Sequence, residues 1–151
     1  MRTRLFGLLA VLSLFVLMAL PASAGIPSGE SDFPISLGSK GQLTNKGRTA
    51  TVSVSFTCPA DTTVEVNAQL NQQTGLLRAT GDGHTSVECT TGESQTVLVP
   101  ITARSGVFAN GPASAGADAY YSTLGQPTEQ CPEGCWQYFD AHTSGTVRLG
   151  K

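Results

Sequence analysis

The sequence predicts an all-β domain: a two-layer β-sandwich of about seven or eight strands held by two disulfides. Three observations predict it. Apolar and polar residues alternate without exception from Thr49 to Cys58 and again from Val64 to Asn71. The composition, with 17 Gly and 8 Pro in 151 residues and only 13% charged, suits short strands and turns better than helices. The 4 cysteines all lie beyond an N-terminal export signal, in a part of the chain that reaches an oxidising compartment.

The signal comes first in chain order. Arg2 and Arg4 precede an unbroken run of small or apolar residues from Leu5 to Leu20, Pro21 ends it, and Ala22-Ser23-Ala24 supplies a small-x-small cleavage site. The run is shorter than the roughly 20 residues that span a bilayer. No cysteine near Gly25 could take a lipid, and Val147-Arg148-Leu149-Gly150-Lys151 adds no second hydrophobic segment, so a secreted protein with no membrane contact after cleavage is expected. Residues 1–24 are then the signal, 25–33 a flexible lead and 34–151 the folded domain. Without Arg2 and Arg4, the 9 basic residues fall to 7 against 11 acidic, a net charge of −4. Those cations, Lys40, Lys46, Arg48, Arg78, Arg104, Arg148 and Lys151, are scattered along the sequence, which argues against a nucleic-acid partner.

A weak strand opens the domain near Ile35 to Leu43. In Thr49–Cys58, Ala50, Val52, Val54, Phe56 and Cys58 share one face. Pro59-Ala60-Asp61 turns the chain into a hairpin partner whose inward residues are Val64, Val66, Ala68 and Leu70. A weaker strand over Leu76–Thr80 is expected to stop at Gly81-Asp82-Gly83, read as a tight turn needing positive φ, before Thr85, Val87 and Cys89 alternate afresh. Gln95, Val97, Val99, Ile101 and Ala103 make another inward series, and Pro100, which has no N–H, places that strand at an edge or a bulge. After a turn at Asn110-Gly111-Pro112, Ala113, Ala115, Ala117 and Ala119 point inward and run into Tyr120-Tyr121; a last strand covers about Thr143 to Leu149.

Four cysteines allow three pairings. Cys58 ends an inward series and Cys89 is in phase with Val87, so both face the same core, which selects Cys58 with Cys89 and leaves Cys131 with Cys135. On the chain-entropy model the first bridge closes about 32 residues and contributes roughly 3.5 kcal/mol, and the second, a ring of about five, at most about 2 kcal/mol. The competing metal site, Cys131 and Cys135 with His142 and Asp140, lacks the tighter Cys-x-x-Cys spacing and the reducing compartment of thiolate sites, so no metal and no cofactor is expected.

The succession VSVSFTCPADTTVEVNAQL, VECTTGESQTVLVPITA, FANGPASAGADA and CPEGC with a closing TVRL resembles small immunoglobulin-like proteins exported by actinomycete bacteria, over about Thr49 to Leu149. The resemblance implies an immunoglobulin-like Greek-key β-sandwich and secretion, and it carries over no catalytic residue. Antibody domains keep a Trp on the strand after the first cysteine, whereas Trp136 falls in the later loop region.

Catalytic patterns are thin. Asp82, His84 and a serine could be written as a triad, but Gly-x-Ser-x-Gly is absent and the segment has turn composition. Hydrolysis by paired carboxylates would need convergence among Glu30, Asp32, Glu88, Glu93, Asp118 or Asp140, and Asp61, Asp82, Glu133 and Asp140 read as solvated turn acids before calcium ligands. Aromatic residues are distributed unevenly: Tyr120, Tyr121, Trp136, Tyr138 and Phe139 crowd into 20 positions around the short cysteine ring. The competing arrangement folds Trp136 and Phe139 over the core. The sequence thus leads to a non-enzymatic binding or cell-surface accessory module with no catalytic residue, whose contact patch is Tyr120, Tyr121, Trp136 and Tyr138. Its expected partner is an extracellular protein or cell-wall polysaccharide. An enzyme inhibitor or toxin-like effector using the 130–137 loop is the alternative, and a small secreted hydrolase comes third.

Overall fold

In the computed structural model, which describes residues 32–151, the seven strands are β1 (Ile35–Thr44), β2 (Thr49–Thr57), β3 (Thr62–Thr74), β4 (Leu77–Cys89), β5 (Ser94–Ser105), β6 (Gly111–Leu124) and β7 (Trp136–Gly150). The expected export signal, residues 1–24, and residues 25–31 lie outside the described residues. Hydrogen bonds join the strands in the order β1-β2-β5-β4-β3-β6-β7, and β7 returns to β1 to close a barrel. All neighbours are antiparallel except β7 and β1, which run parallel over Lys40–Gln42 and Arg148–Gly150.

Period-two alternation fills the interior as the sequence leads one to expect. Ala50, Val52, Val54, Phe56 and Cys58 are buried from β2 and its end, Val64, Val66, Ala68 and Leu70 from β3, and Ala113, Ala115, Ala117 and Ala119 from β6. Continued one step further, the β3 series also buries Gln72. Its amide accepts the Ala109 N–H at 2.8 Å and donates to the Ala109 and Pro112 carbonyls at 2.9 and 3.3 Å, so the burial leaves no polar atom unpaired.

Three expectations are corrected. First, the two layers are not separate, and Pro59-Ala60-Asp61 does not make a hairpin: β2 pairs with β1 and β5, whereas β3 pairs with β4 along its whole length and with β6, and β4 also meets β5 at Thr80–Asp82. Second, Gly81-Asp82-Gly83 is the middle of a continuous β4 and neither glycine has positive φ. A Cβ at Gly81 would overlap the Thr102 carbonyl and one at Gly83 the Pro100 carbonyl, so these glycines admit the β5 backbone at the closure. The reversal occurs instead at Gly75-Leu76, between the paired Thr74 and Leu77, with Gly75 at φ 61. Third, β7 begins at Trp136, earlier than Thr143, and pairs with β6 throughout. Pro100 lies beyond the β4–β5 ladder, which covers Thr102–Ser105, so its missing N–H costs no bond there.

Phe33 closes one end of the interior. It is 5% exposed and packs edge-on against Phe56 and Tyr121 at ring separations of 6.2 and 5.7 Å. The neighbouring Asp32 donates its N–H to the Asp140 carbonyl and accepts the Asp140 N–H on its carboxylate, both at 3.0 Å. Asp32 and Phe33, expected within a flexible lead of 25–33, are instead held by two hydrogen bonds and a buried ring.

Both expected disulfides are present, Cys58–Cys89 and Cys131–Cys135, with Cα separations of 5.4 and 5.5 Å. Beside the first, the Thr91 N–H and hydroxyl donate to the Asp61 carboxylate at 2.7 and 3.0 Å, tying the β2–β3 connection to the β4–β5 turn and holding the Asp61 pKa below its ordinary value. Removing each bridge by paired Cys→Ala substitution should lower unfolding free energy by about 3.5 kcal/mol at Cys58–Cys89 and by no more than about 2 kcal/mol at Cys131–Cys135. Urea titration measures both, and equal losses would contradict the assignment of the longer bridge to the fold.

Candidate functional site

The β6–β7 ribbon places the crowded aromatics by parity. Leu124 lies opposite Trp136, Ser122 opposite Tyr138, Tyr121 opposite Phe139 and Tyr120 opposite Asp140. In an antiparallel pair, directly opposed residues share a face. Leu124, Trp136, Tyr138 and Tyr120 therefore point outward from the last turns of the ribbon, at 55, 63, 78 and 43% exposure. Tyr121 continues the inward series of Ala113 to Ala119 and is 9% exposed, stacked on Phe139 at 4.8 Å and 10°. Burial and the negative charge of Asp32 raise its phenol above the ordinary value of 10.0.

The expected patch is accordingly corrected in membership. Tyr121 leaves it because its ring is part of the core, and Leu124, which the sequence reading passed over, joins it. Of the two side chains weighed as core caps, Phe139 packs on the core and Trp136 stays in solvent.

The connection between the two strands is short of freedom. Gly125 donates its N–H to the Cys135 carbonyl at 2.8 Å, extending the ladder one step past Leu124 and Trp136. Inside the loop, Thr128 and Cys131 exchange backbone hydrogen bonds at 3.0 and 3.2 Å, and the Gly134 N–H reaches the Cys131 carbonyl at 2.9 Å. Gly134 sits at φ 91, and a Cβ there would press on the Gly125 carbonyl and the Leu124 side chain. With its sulfurs joined, the ring offers no thiolates, and among the described residues no group of three or more His, Cys, Asp or Glu could hold a metal.

A second, polar cluster lies on the outer face of β4, β3 and β6. Asn67, Asp82, His84 and Asp118 line a shallow cleft of about 210 Å³ floored by Gly83. No serine lines it, and the Asp82 carboxylate is engaged by the Arg104 guanidinium in a hydrogen bond of 2.7 Å. Asp82, the acid that a triad would need, is thus already committed to an ion pair with Arg104 across β4 and β5.

Comparison with protein-family models, with curated proteins and with solved structures gives no match. Geometry therefore carries the functional reading. The division between core and surface aromatics is testable by thermal and urea unfolding: Tyr121→Ala should cost about 3 to 5 kcal/mol, and Trp136→Ala should change stability by no more than about 0.5 kcal/mol. A destabilisation by Trp136→Ala as large as that by Tyr121→Ala would move Trp136 into the core.

Proposed function

We propose that this chain is an immunoglobulin-like Greek-key module, secreted after loss of residues 1–24, which binds an extracellular partner through Leu124, Trp136, Tyr138 and Tyr120 and catalyses no reaction. The strand order supports the fold reading. The barrel has two narrow seams, the three-residue β1–β7 ladder and the short β4–β5 ladder at Thr80–Asp82, and between them lie the sheets β1-β2-β5 and β4-β3-β6-β7. The groups β1-β2-β5 and β3-β6-β7 match the two sheets of an immunoglobulin-like Greek key and support this reading, while β4 sides with β3 here and with the fifth strand in the constant-type domain. Two disulfides fit an oxidising compartment, and among the described residues no helix is long and apolar enough to cross a membrane.

The observation that carries the binding reading is the outward apolar row on a stiffened ribbon end, where Trp136 is 63% and Tyr138 78% exposed. Trp and Tyr bury large areas at low entropic cost, and a backbone already restrained by the cysteine ring loses less freedom when a partner orders it. An outward row of side chains along one face of a two-stranded ribbon suits a protein or an extended polysaccharide more than a small ligand, which needs a concave site. The hydrogen-bonded ring also favours a second reading, an inhibitor that inserts residues 130–137 into a target enzyme.

Pull-down from extracellular fractions and glycan arrays, each with Trp136→Ala and Tyr138→Ala, tests the proposal. Partner affinity should fall by about tenfold or more for Trp136→Ala. Retention at full strength by both variants would overturn the patch, inhibition of an enzyme in a protease panel would favour the second reading, and turnover of a polymer substrate would overturn the non-catalytic one.

A further inference from the structure

Charge separates along the barrel axis. The strand ends divide the molecule into the end bearing Cys58–Cys89 and the β6–β7 loop, and the end bearing the Gly75-Leu76 turn. Lys46, Arg48, Arg78, Arg104, Arg148 and Lys151 all lie at the second end, and Lys40 is in register with Arg148. Acidic side chains behave oppositely. Asp32, Asp61, Glu88, Glu93, Glu129 and Glu133 lie at or beyond the first end, with Glu65 and Asp140 in that half. Asp82 and Asp118 occupy the middle, and Asp82 is neutralised by Arg104.

The cationic end also carries an apolar tip. Gly75-Leu76 is a two-residue hairpin, which leaves Leu76 wholly exposed and Leu77 at 78%. Val107, 55% exposed, lines with Leu77 a mostly apolar cleft of about 440 Å³. The basic turn is fixed beside it: the Phe108 N–H donates to the Gly47 carbonyl at 2.8 Å and the Ala103 N–H to the Arg48 carbonyl at 2.9 Å.

We propose that this end docks on the surface of an anionic lipid bilayer, with Leu76, Leu77 and Val107 entering the interfacial region and Lys46, Arg48, Arg78 and Lys151 facing the lipid phosphates. Exposed aliphatic side chains at an end that also gathers the cations match a surface that is apolar just beneath a layer of negative charge. A soluble polyanion would engage the cations and leave the leucines in water. The carboxylates at the far end are repelled from the same surface, so the charge separation orients the molecule with its aromatic ribbon end turned away from the lipid. Such docking is peripheral and needs no spanning segment.

Co-sedimentation of the folded chain with vesicles tests the proposal, using equal parts phosphatidylglycerol and phosphatidylcholine against phosphatidylcholine alone. Binding should require phosphatidylglycerol, weaken as salt is raised, and fall by about fivefold for Lys46→Glu or Arg48→Glu. The double variant Leu76→Asp, Leu77→Asp should bind about tenfold more weakly or worse. Circular dichroism and melting check that the variants remain folded, which the exposure of both leucines allows, and Trp136→Ala at the opposite end should bind vesicles as the parent does. Absence of binding, equal binding to both vesicle types, or full binding by the leucine variant would overturn the proposal. Sedimentation of the protein without vesicles at low salt would also overturn it, by showing a second copy to be the occupant.

Discussion

The fold depends on the parity of its strands. A closed barrel of seven strands has one inside, and each strand can supply it only with every second side chain. Val from β2 and β3, Ala from β6 and the Phe33, Phe56, Tyr121 and Phe139 cluster at one end fill that space without leaving a buried polar side chain unpaired among the described residues. A slip of one residue in any ladder would send this apolar set into water and bring Asp118, Tyr120 or Glu65 inside, so the register is fixed by a large penalty. Closure adds a local demand, that β5 pass directly over β4, and Gly81 and Gly83 meet it by having no side chain.

Once the inside is fixed, so is the outside. The same parity that buries Tyr121 exposes Tyr120, and the same ladder that stacks Phe139 on Tyr121 sets Trp136 beside Leu124. The cysteine ring then limits how far this end of the ribbon can move. At the opposite end, a two-residue turn too short to fold its leucine back leaves Leu76 in solvent, at the same end of the barrel as most of the cations. The two ends thus differ in both charge and apolar chemistry, and the proposed contacts with a partner and with lipid occupy separate surfaces of one small domain.

Much of this was legible in the sequence. The faces of β2 and β3 and the Cys58–Cys89 pairing follow from alternation alone, because a half-buried strand leaves no other use for period two. Tyr121 is legible by the same rule, being in phase with Ala113 to Ala119, although a tyrosine beside other clustered aromatics has the composition of a contact patch as well as of a core. Other features were hidden for physical reasons. Gly-Asp-Gly has turn composition whether a glycine supplies positive φ or merely space for a crossing backbone, and only the neighbouring strand decides between them. The first half of β7 reads Trp136-Gln137-Tyr138-Phe139-Asp140, in which the exposed aromatics mask the alternation. The gathering of cations, scattered in sequence, appears only when the ladders are aligned.

The parity account is tested most directly by cross-strand nuclear Overhauser contacts measured on the folded chain in solution. Backbone contacts should join Val66 to Ala119, Gly81 to Ala103, Tyr121 to Phe139 and, in the parallel sense, Gly41 to Leu149. Helical sequential contacts between residues 49 and 72, or a β3–β6 register displaced by one residue so that Val66 faces Tyr120, would contradict it.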